Sequence, residues 1–408
     1  MAANQLLTIS MITAESARVL GNNLVLAKCV NRDYDNDFAI KGAKIGQSLN
    51  VRKPARYTTR TGSVVDIQGQ TETYAPLTFV DPYGVDLSFT SQEMTFSLDE
   101  FANRVIKPAV VAIANKVDSV GFGLVNSVYN VIGTPGVALT AATARTAVLN
   151  SAAKLYDNDA PVGGSDLHFI SGSAFNATLS DSNASIFNPS KEISDIYVKG
   201  MQGTFGGYSH YMDQLIPSHK NGTFGGSPVT NSGTPQTGSS LITNGWTAST
   251  TVLNVGDIFT IAGVFAVNPQ TKDVYSYLQP FTVTTATVTD GSGNSTIAIS
   301  PAIVASGPFQ NVSNAAANTQ AIVVIGASTV SGSQALGFHK DAFMLANQEL
   351  VLPTGVEAAS YVRDEQSKIG IRLVSQYDIR TNQHISRFDT MIAWAVLYPQ
   401  LACRVYTS

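Results

Sequence analysis

Charge is scarce in this chain. Of its 408 residues only 13% are Asp, Glu, Lys or Arg, about half the usual share for a soluble protein, while 44% are hydrophobic. Two readings fit so neutral a surface: an extracellular β-rich protein, or a subunit covered mostly by copies of itself. Neither points to an enzyme. The charges nearly cancel, at −4 with a pI near 5.7, which argues against broad nucleic-acid affinity, since that requires a clustered basic face to release counterions. Cys29 and Cys403 are the only cysteines and lie near opposite ends. They give no disulfide framework and fit a reducing compartment. No uninterrupted apolar run approaches the ~18 residues of a membrane helix. The start, Met1 to Gln5, has no basic segment, and Thr8 and Ser10 interrupt the apolar residues after it, which is unlike a signal peptide. Cytoplasmic synthesis is the expectation.

Patterns that carry chemistry are equally thin. Asp33, Asp35 and Asp37 alternate like the start of a calcium loop, but Phe38 stands where the loop needs Gly and Lys44 where it needs Glu. Ser165, Asp166 and His168 are the residue types of a hydrolase triad without a GxSxG elbow. His210, His219, His339 and His384 lack metal-ligand spacing. Gly203, Gly206, Gly207, Gly225 and Gly226 read as tight turns, since no phosphate-loop lysine follows them. No catalytic residue, metal ligand or cofactor is expected.

What the chain does have is a long amphipathic pattern. Ser97, Leu98, Asp99 and Glu100 form a capping box. Apolar residues then recur at helical steps through Phe101, Val105, Ala109, Ile113, Val117, Val120, Leu124, Val128 and Ile132. Up to Gly133 a continuous helix would be on the order of 50 Å long at ~1.5 Å per residue. Pro108 should kink it, and Gly121 and Gly123 mark a second soft point. Lys107, Asn115, Lys116 and Asp118 argue against a membrane span. A rod longer than a compact domain needs suggests an assembly scaffold.

Around the rod, residues 1–28 read as an amphipathic arm, with Leu6, Ile9, Ile12, Val19 and Leu20 opposite Glu15 and Arg18. Residues 48–96 alternate as strands do, and Arg52 to Thr78, poor in large apolar residues, reads as a projecting hairpin. A second helix is expected over Thr140 to Leu155, strands over Leu167 to Ser171 and Asp195 to Lys199, and a turn over Gly200 to Gly207. Gly222 to Gly245 is almost all Gly, Ser, Thr, Asn and Pro, and reads as a linker or surface loop beginning a new domain at Asn221. Short strands from Thr251 to Ile325 predict a small antiparallel barrel or sandwich inserted into an α+β host. Helical spacing returns at Phe338, Ala342, Phe343, Leu345 and Ala346, and strands close the chain.

One basic cluster stands out: Arg52, Lys53, Arg56 and Arg60, with Tyr57 among them. A nucleic-acid contact and a solvated hairpin base are alternatives. The preferred reading pairs these cations with Asp99, Glu100 or Asp118 of a neighbouring subunit.

Val30-Asn31-Arg32-Asp33-Tyr34, Gly42-Ala43-Lys44-Ile45-Gly46 and Val51-Arg52-Lys53-Pro54 resemble the start of the major capsid proteins of tailed bacteriophages. Ser97-Leu98-Asp99, Ile106-Lys107-Pro108 and Ala114 to Asp118 resemble their spine helix, and Gly337 to Phe343 a later capsid segment. Val255 to Val264 is similar to the inserted β domain of the short-tailed-phage lineage. The resemblance implies an N-terminal arm (1–47), an extended loop with peripheral strands (48–96) and a spine helix (97–135). It further implies an axial domain (136–221), an inserted β domain (222–335) and a return to the axial and peripheral domains (336–408). It also implies pentameric and hexameric capsomers closing an icosahedral shell around double-stranded DNA. The partners would be copies of the chain, a scaffolding protein, a portal, a decoration protein in some shells, and DNA bound only non-specifically, with no membrane. The location would be the virion capsid, assembled in the host cytoplasm. Some members cross-link through a loop lysine; Lys53 is the hairpin's only lysine. A non-enzymatic β-rich adhesin or appendage protein is the alternative.

Overall fold

The computed structural model describes residues 9–32, 48–57, 62–65, 67–70, 72–90, 107–161, 166–184, 203–364 and 367–408. The chain divides into two compact units: Met1–Val51, Ala75–Phe122 and Phe343–Ala395 make the first, and Arg52–Tyr74, Gly123–Ala342 and Val396–Ser408 the second. Helices and strands occur in both, an α+β architecture.

In the first unit, α1 (Ile9–Asn23) and α2 (Lys107–Phe122) pack on each other beside a sheet. The sheet runs Phe343–Gln348, Gln383–Val396, Gly370–Asp378, Ala358–Arg363, with Tyr83–Thr90 also paired to Gln383–Val396. The buried residues of α2 come in pairs four apart: Ala109 and Val110, Ile113 and Ala114, Val117 and Asp118, Gly121 and Phe122. That is the stripe helical spacing predicts. In α1, Val19 and Leu20 are buried while Arg18 and Glu15 form an exposed ion pair at 2.6 Å, matching the expected two sides.

The helix departs from expectation at its C-terminal end. It gives way at Gly123 to a 3₁₀ turn, and Val128 and Ile132 are not helical: Val131–Ile132 is a strand parallel to Arg404 and Val405. Neighbouring β-branched side chains and a ready strand partner outweigh the apolar spacing. The α-helix thus ends at the second soft point expected at Gly121 and Gly123. A Cβ at Gly121 would lie 2.7 Å from Trp394 and 2.8 Å from Leu26, so the glycine permits close approach. The Ser97–Glu100 capping box lies outside the described residues, and Pro108 is the second residue of the described helix. Lys107–Ser127 is long and apolar enough by composition to cross a membrane, but half of it is buried inside the protein, as in a core helix.

The second unit holds α3 (Ala141–Asp157), capped by Thr140, and α4 (Ser173–Ala184). The Thr140 amide donates to Thr143 Oγ1 at 3.0 Å. Beside them runs a sheet in the order Val131–Ile132, Ala402–Tyr406, Gln334–His339, Leu167–Ser171, Tyr208–Met212, Thr204–Phe205. Gly206 and Gly207 have φ of +62° and +84°, the two positive values that a two-residue hairpin turn requires.

The rest of the second unit is a six-stranded antiparallel sheet, ordered Ile322–Val324, Ile258–Val267, Val274–Val283, Ser295–Ile303, Gly238–Trp246, Gly226–Thr230. A bridge between Val229 and Ala321 joins its two edges, which removes exposed strand edges. Its core contains Leu241, Trp246, Phe259, Ile261, Phe281 and Ile297.

Two sequence readings are corrected here. The stretch 222–245 is not a linker: Gly226–Thr230 and Gly238–Trp246 are strands of the closed sheet. Leu241, Thr243 and Trp246 point inward, and the Trp246 indole N–H donates to Thr243 Oγ1 at 2.8 Å. Paired hydroxyls replace the large apolar residues whose scarcity suggested a loop. Nor is 337–346 helical. Gln334–His339 and Phe343–Gln348 are strands with nearly every residue buried. Strands covered on both faces show no alternation, so their pattern can mimic a helix.

Candidate assembly interface

The hairpin base is built from Ser48–Lys53 paired with Thr73–Thr78. Alternation along this ladder sends adjacent cations to different environments. Arg52 is 83% exposed, with Nη1 3.7 Å from Glu72 Oε2. Lys53 is half-buried, its Nζ 5.4 Å from the Tyr398 ring centroid, and burial lowers its pKa below the ordinary lysine value. Arg56, also half-buried, lines with Lys53 a cavity of about 390 Å³ whose wall includes Asp159 and Asp341. Arg60, Asp99 and Glu100 lie outside the described residues.

Asp118 is not available to a neighbour. It is 1% exposed, and its carboxylate accepts the amides of Val25 at 2.7 Å and Ala27 at 3.1 Å. The acid caps a turn of its own chain, using donors that a turn leaves unpaired, and the pairing read from sequence is corrected for this residue.

Sequence reasoning missed two features. Val64, Val65 and Ile67 on the hairpin are 83%, 73% and 90% exposed; two adjacent valines in a polar stretch were the available signal. Arg404 is fully buried, and its Nη2 donates to the Gly256 carbonyl at 2.8 Å. Nearby in the same unit, buried Asp257 meets His219 Nε2 at 2.7 Å and accepts the amides of Gly222 and Asn254. One arginine inside the apolar strand Ala402–Tyr406 was the only hint.

Residues of the catalytic types are engaged elsewhere. Asp166 pairs with Lys340 at 3.0 Å, His168 lies against the rings of Tyr211 and Phe338, and burial lowers the His168 pKa. Ser165, Asp33, Asp35 and Asp37 lie outside the described residues. Among the described residues no group of three or more His, Cys, Asp or Glu could hold a metal ion.

No curated protein matches the chain. Similar solved structures include one from Mycobacterium phage Che8, at 10% identity over 94% of this chain and 90% of that one, with a TM-score of 0.47. Others are the capsid of cyanophage P-SCSP1u (12% identity, 90% and 86% covered, TM-score 0.46) and the mature capsid of bacteriophage PhiM1 (8%, 92% and 87%, 0.45). A family model described as P22 coat protein, gene protein 5, matches residues 1–404. The chain therefore belongs to the P22 coat protein family: it is a tailed-phage major capsid protein, structural and not enzymatic.

Proposed function

We propose that this coat protein polymerises into pentameric and hexameric capsomers of an icosahedral shell enclosing double-stranded DNA. The observation that carries this is the family match across residues 1–404. Closed rings follow from heterologous contacts whose rotation closes, and many modest contacts add through multivalency. A scaffolding protein guides the shell, a portal interrupts it, a decoration protein can be added, and assembly takes place in the host cytoplasm. Cations at the hairpin base meet acids of a neighbouring subunit, Asp99 and Glu100 among them.

Residues 222–335 serve as an inserted β domain on a capsid host made of arm (1–47), extended loop (48–96), spine (97–135), axial domain (136–221) and returning strands (336–408). Support comes from its ends: Lys220 pairs with Ser331 and His219 with Gly332, so the chain leaves and rejoins the host side by side, as an insertion requires. Purified protein, alone and with its scaffolding protein, is to be sedimented and imaged by electron microscopy. Closed shells are expected; monomers or open filaments under both conditions would overturn the proposal.

A further inference from the structure

The hairpin-base cavity contains two cations without an acid of their own. Among the described residues, neither Lys53 nor Arg56 forms an ion pair, whereas Arg52 beside them is exposed and faces Glu72. The cavity's own acids do not serve them. Asp341 lies 3.5 Å from His339 Nδ1, and Asp159 is an exposed turn residue with φ of +65°. Burial already disfavours the Lys53 ammonium, and a tyrosine face at 5.4 Å compensates only in part. Partly desolvated, unpaired charge is costly, and a carboxylate placed between the two cations would form the strong charge-assisted bonds that Arg and Lys favour.

We infer that this cavity is a socket for an acidic side chain of a second copy of the chain, its carboxylate held between Lys53 and Arg56. The inference rests on the shell reading and sharpens it: Lys53 and Arg56 make the contact, and Arg52 does not. Size agrees. At about 390 Å³ the space is near the lower end of small-ligand pockets, ~300–1,000 Å³, so it admits a side chain or two and not a folded domain. Gln279 and Asn311 also line the walls, their side-chain amides donating to the Pro280 and Ala302 carbonyls. The second copy is the occupant because a shell places a neighbour of the same sequence beside every subunit, supplying the ion pair that Asp159 and Asp341, though they line the cavity, do not make with Lys53 or Arg56.

Shells assembled from a mixture of ¹⁴N- and ¹⁵N-labelled subunits, treated with a carbodiimide, test this directly. The reagent activates a carboxylate, and the Lys53 amine displaces it to leave an amide. Mixed-isotope peptides joining Lys53 to an Asp or Glu are expected. The variant Lys53→Glu with Arg56→Glu should yield at least tenfold fewer shells than wild type while keeping the wild-type circular dichroism and melting transition. Arg52→Glu should assemble normally, and Lys53→Gln with Arg56→Gln should lie between. Wild-type shells in which Lys53 links only within its own chain or not at all, or normal shells from the Glu variant, overturn this inference and leave the shell reading intact. Wild-type protein that never forms shells overturns both.

Discussion

The Lys154 ammonium lies 2.9 Å from the centroid of the Tyr277 ring. Tyr277 stacks on Tyr275 with centroids 5.2 Å apart and donates its hydroxyl to Asp157 Oδ2 at 3.2 Å, while the Tyr275 hydroxyl donates to the Asp157 carbonyl. The last turn of α3 is thereby fastened to strand Val274–Val283 of the same unit. Replacing Tyr277 by Leu removes ring face, stack and hydroxyl together and should cost ~1–3 kcal/mol in urea unfolding. Tyr277→Phe keeps the ring and should cost only ~1 kcal/mol. Equal losses would assign the contact to the hydroxyl instead of the ring.

Lys154 also predicts a pH dependence. Burial lowers its pKa from 10.5 to about 8. Between those values the unfolded chain holds a proton that the folded chain has released, so this group makes stability rise with pH through that window and contributes no slope below it. Urea midpoints of wild type and Lys154→Met, compared at several pH values from 7 to 10.5, should diverge in favour of wild type as pH rises. Parallel curves would show that the ring holds the ammonium charged throughout.

Asp118 should be needed for folding and not for contact between subunits. Asp118→Ala strands the Val25 and Ala27 amides and should cost ~2–4 kcal/mol, whereas Asp118→Asn keeps an acceptor oxygen and should cost less. Soluble Asp118→Ala protein with wild-type stability that fails only to assemble would restore the interface reading.

Asp257 anchors a buried charge network. Asp257→Ala leaves His219 and two amides without their acceptor and should cost ~3–5 kcal/mol. Adding His219→Leu should recover part of the loss, since one stranded polar group is then removed. Chemical denaturation of the single and double variants checks both statements.

Burial pushes the Cys403 thiol up to about 12, and Cys29 is buried as well. A thiol is inert unless ionised and accessible. Ellman's reagent at pH 8 should find neither thiol in native protein and both after denaturation. Rapid native labelling of Cys403 would contradict its placement.

Local chemistry alone determined the helical stripe of α2, the alanine-rich α3, the glycine turn at Gly206–Gly207 and the strands through Ile258–Val267 and Gln383–Val396, because each depends on spacing or backbone freedom that neighbours in sequence supply. The absence of a disulfide framework followed equally from two distant cysteines. Tertiary structure decided what those patterns could not encode. The Gly/Ser/Thr-rich stretch became strands because Thr230 and Ser295 lie on either side of Thr243, and Gln334–His339 became extended because Ala402–Tyr406 and Leu167–Ser171 hydrogen-bond along its two edges. The same holds for charge. Asp118 reads as one more polar residue on a helix until the Val25 and Ala27 amides are brought to it. Arg52 and Lys53 are adjacent in sequence, yet the pleat gives one to solvent and the other to a cavity. Charge has no meaning for assembly until folding decides which groups have already been neutralised from within.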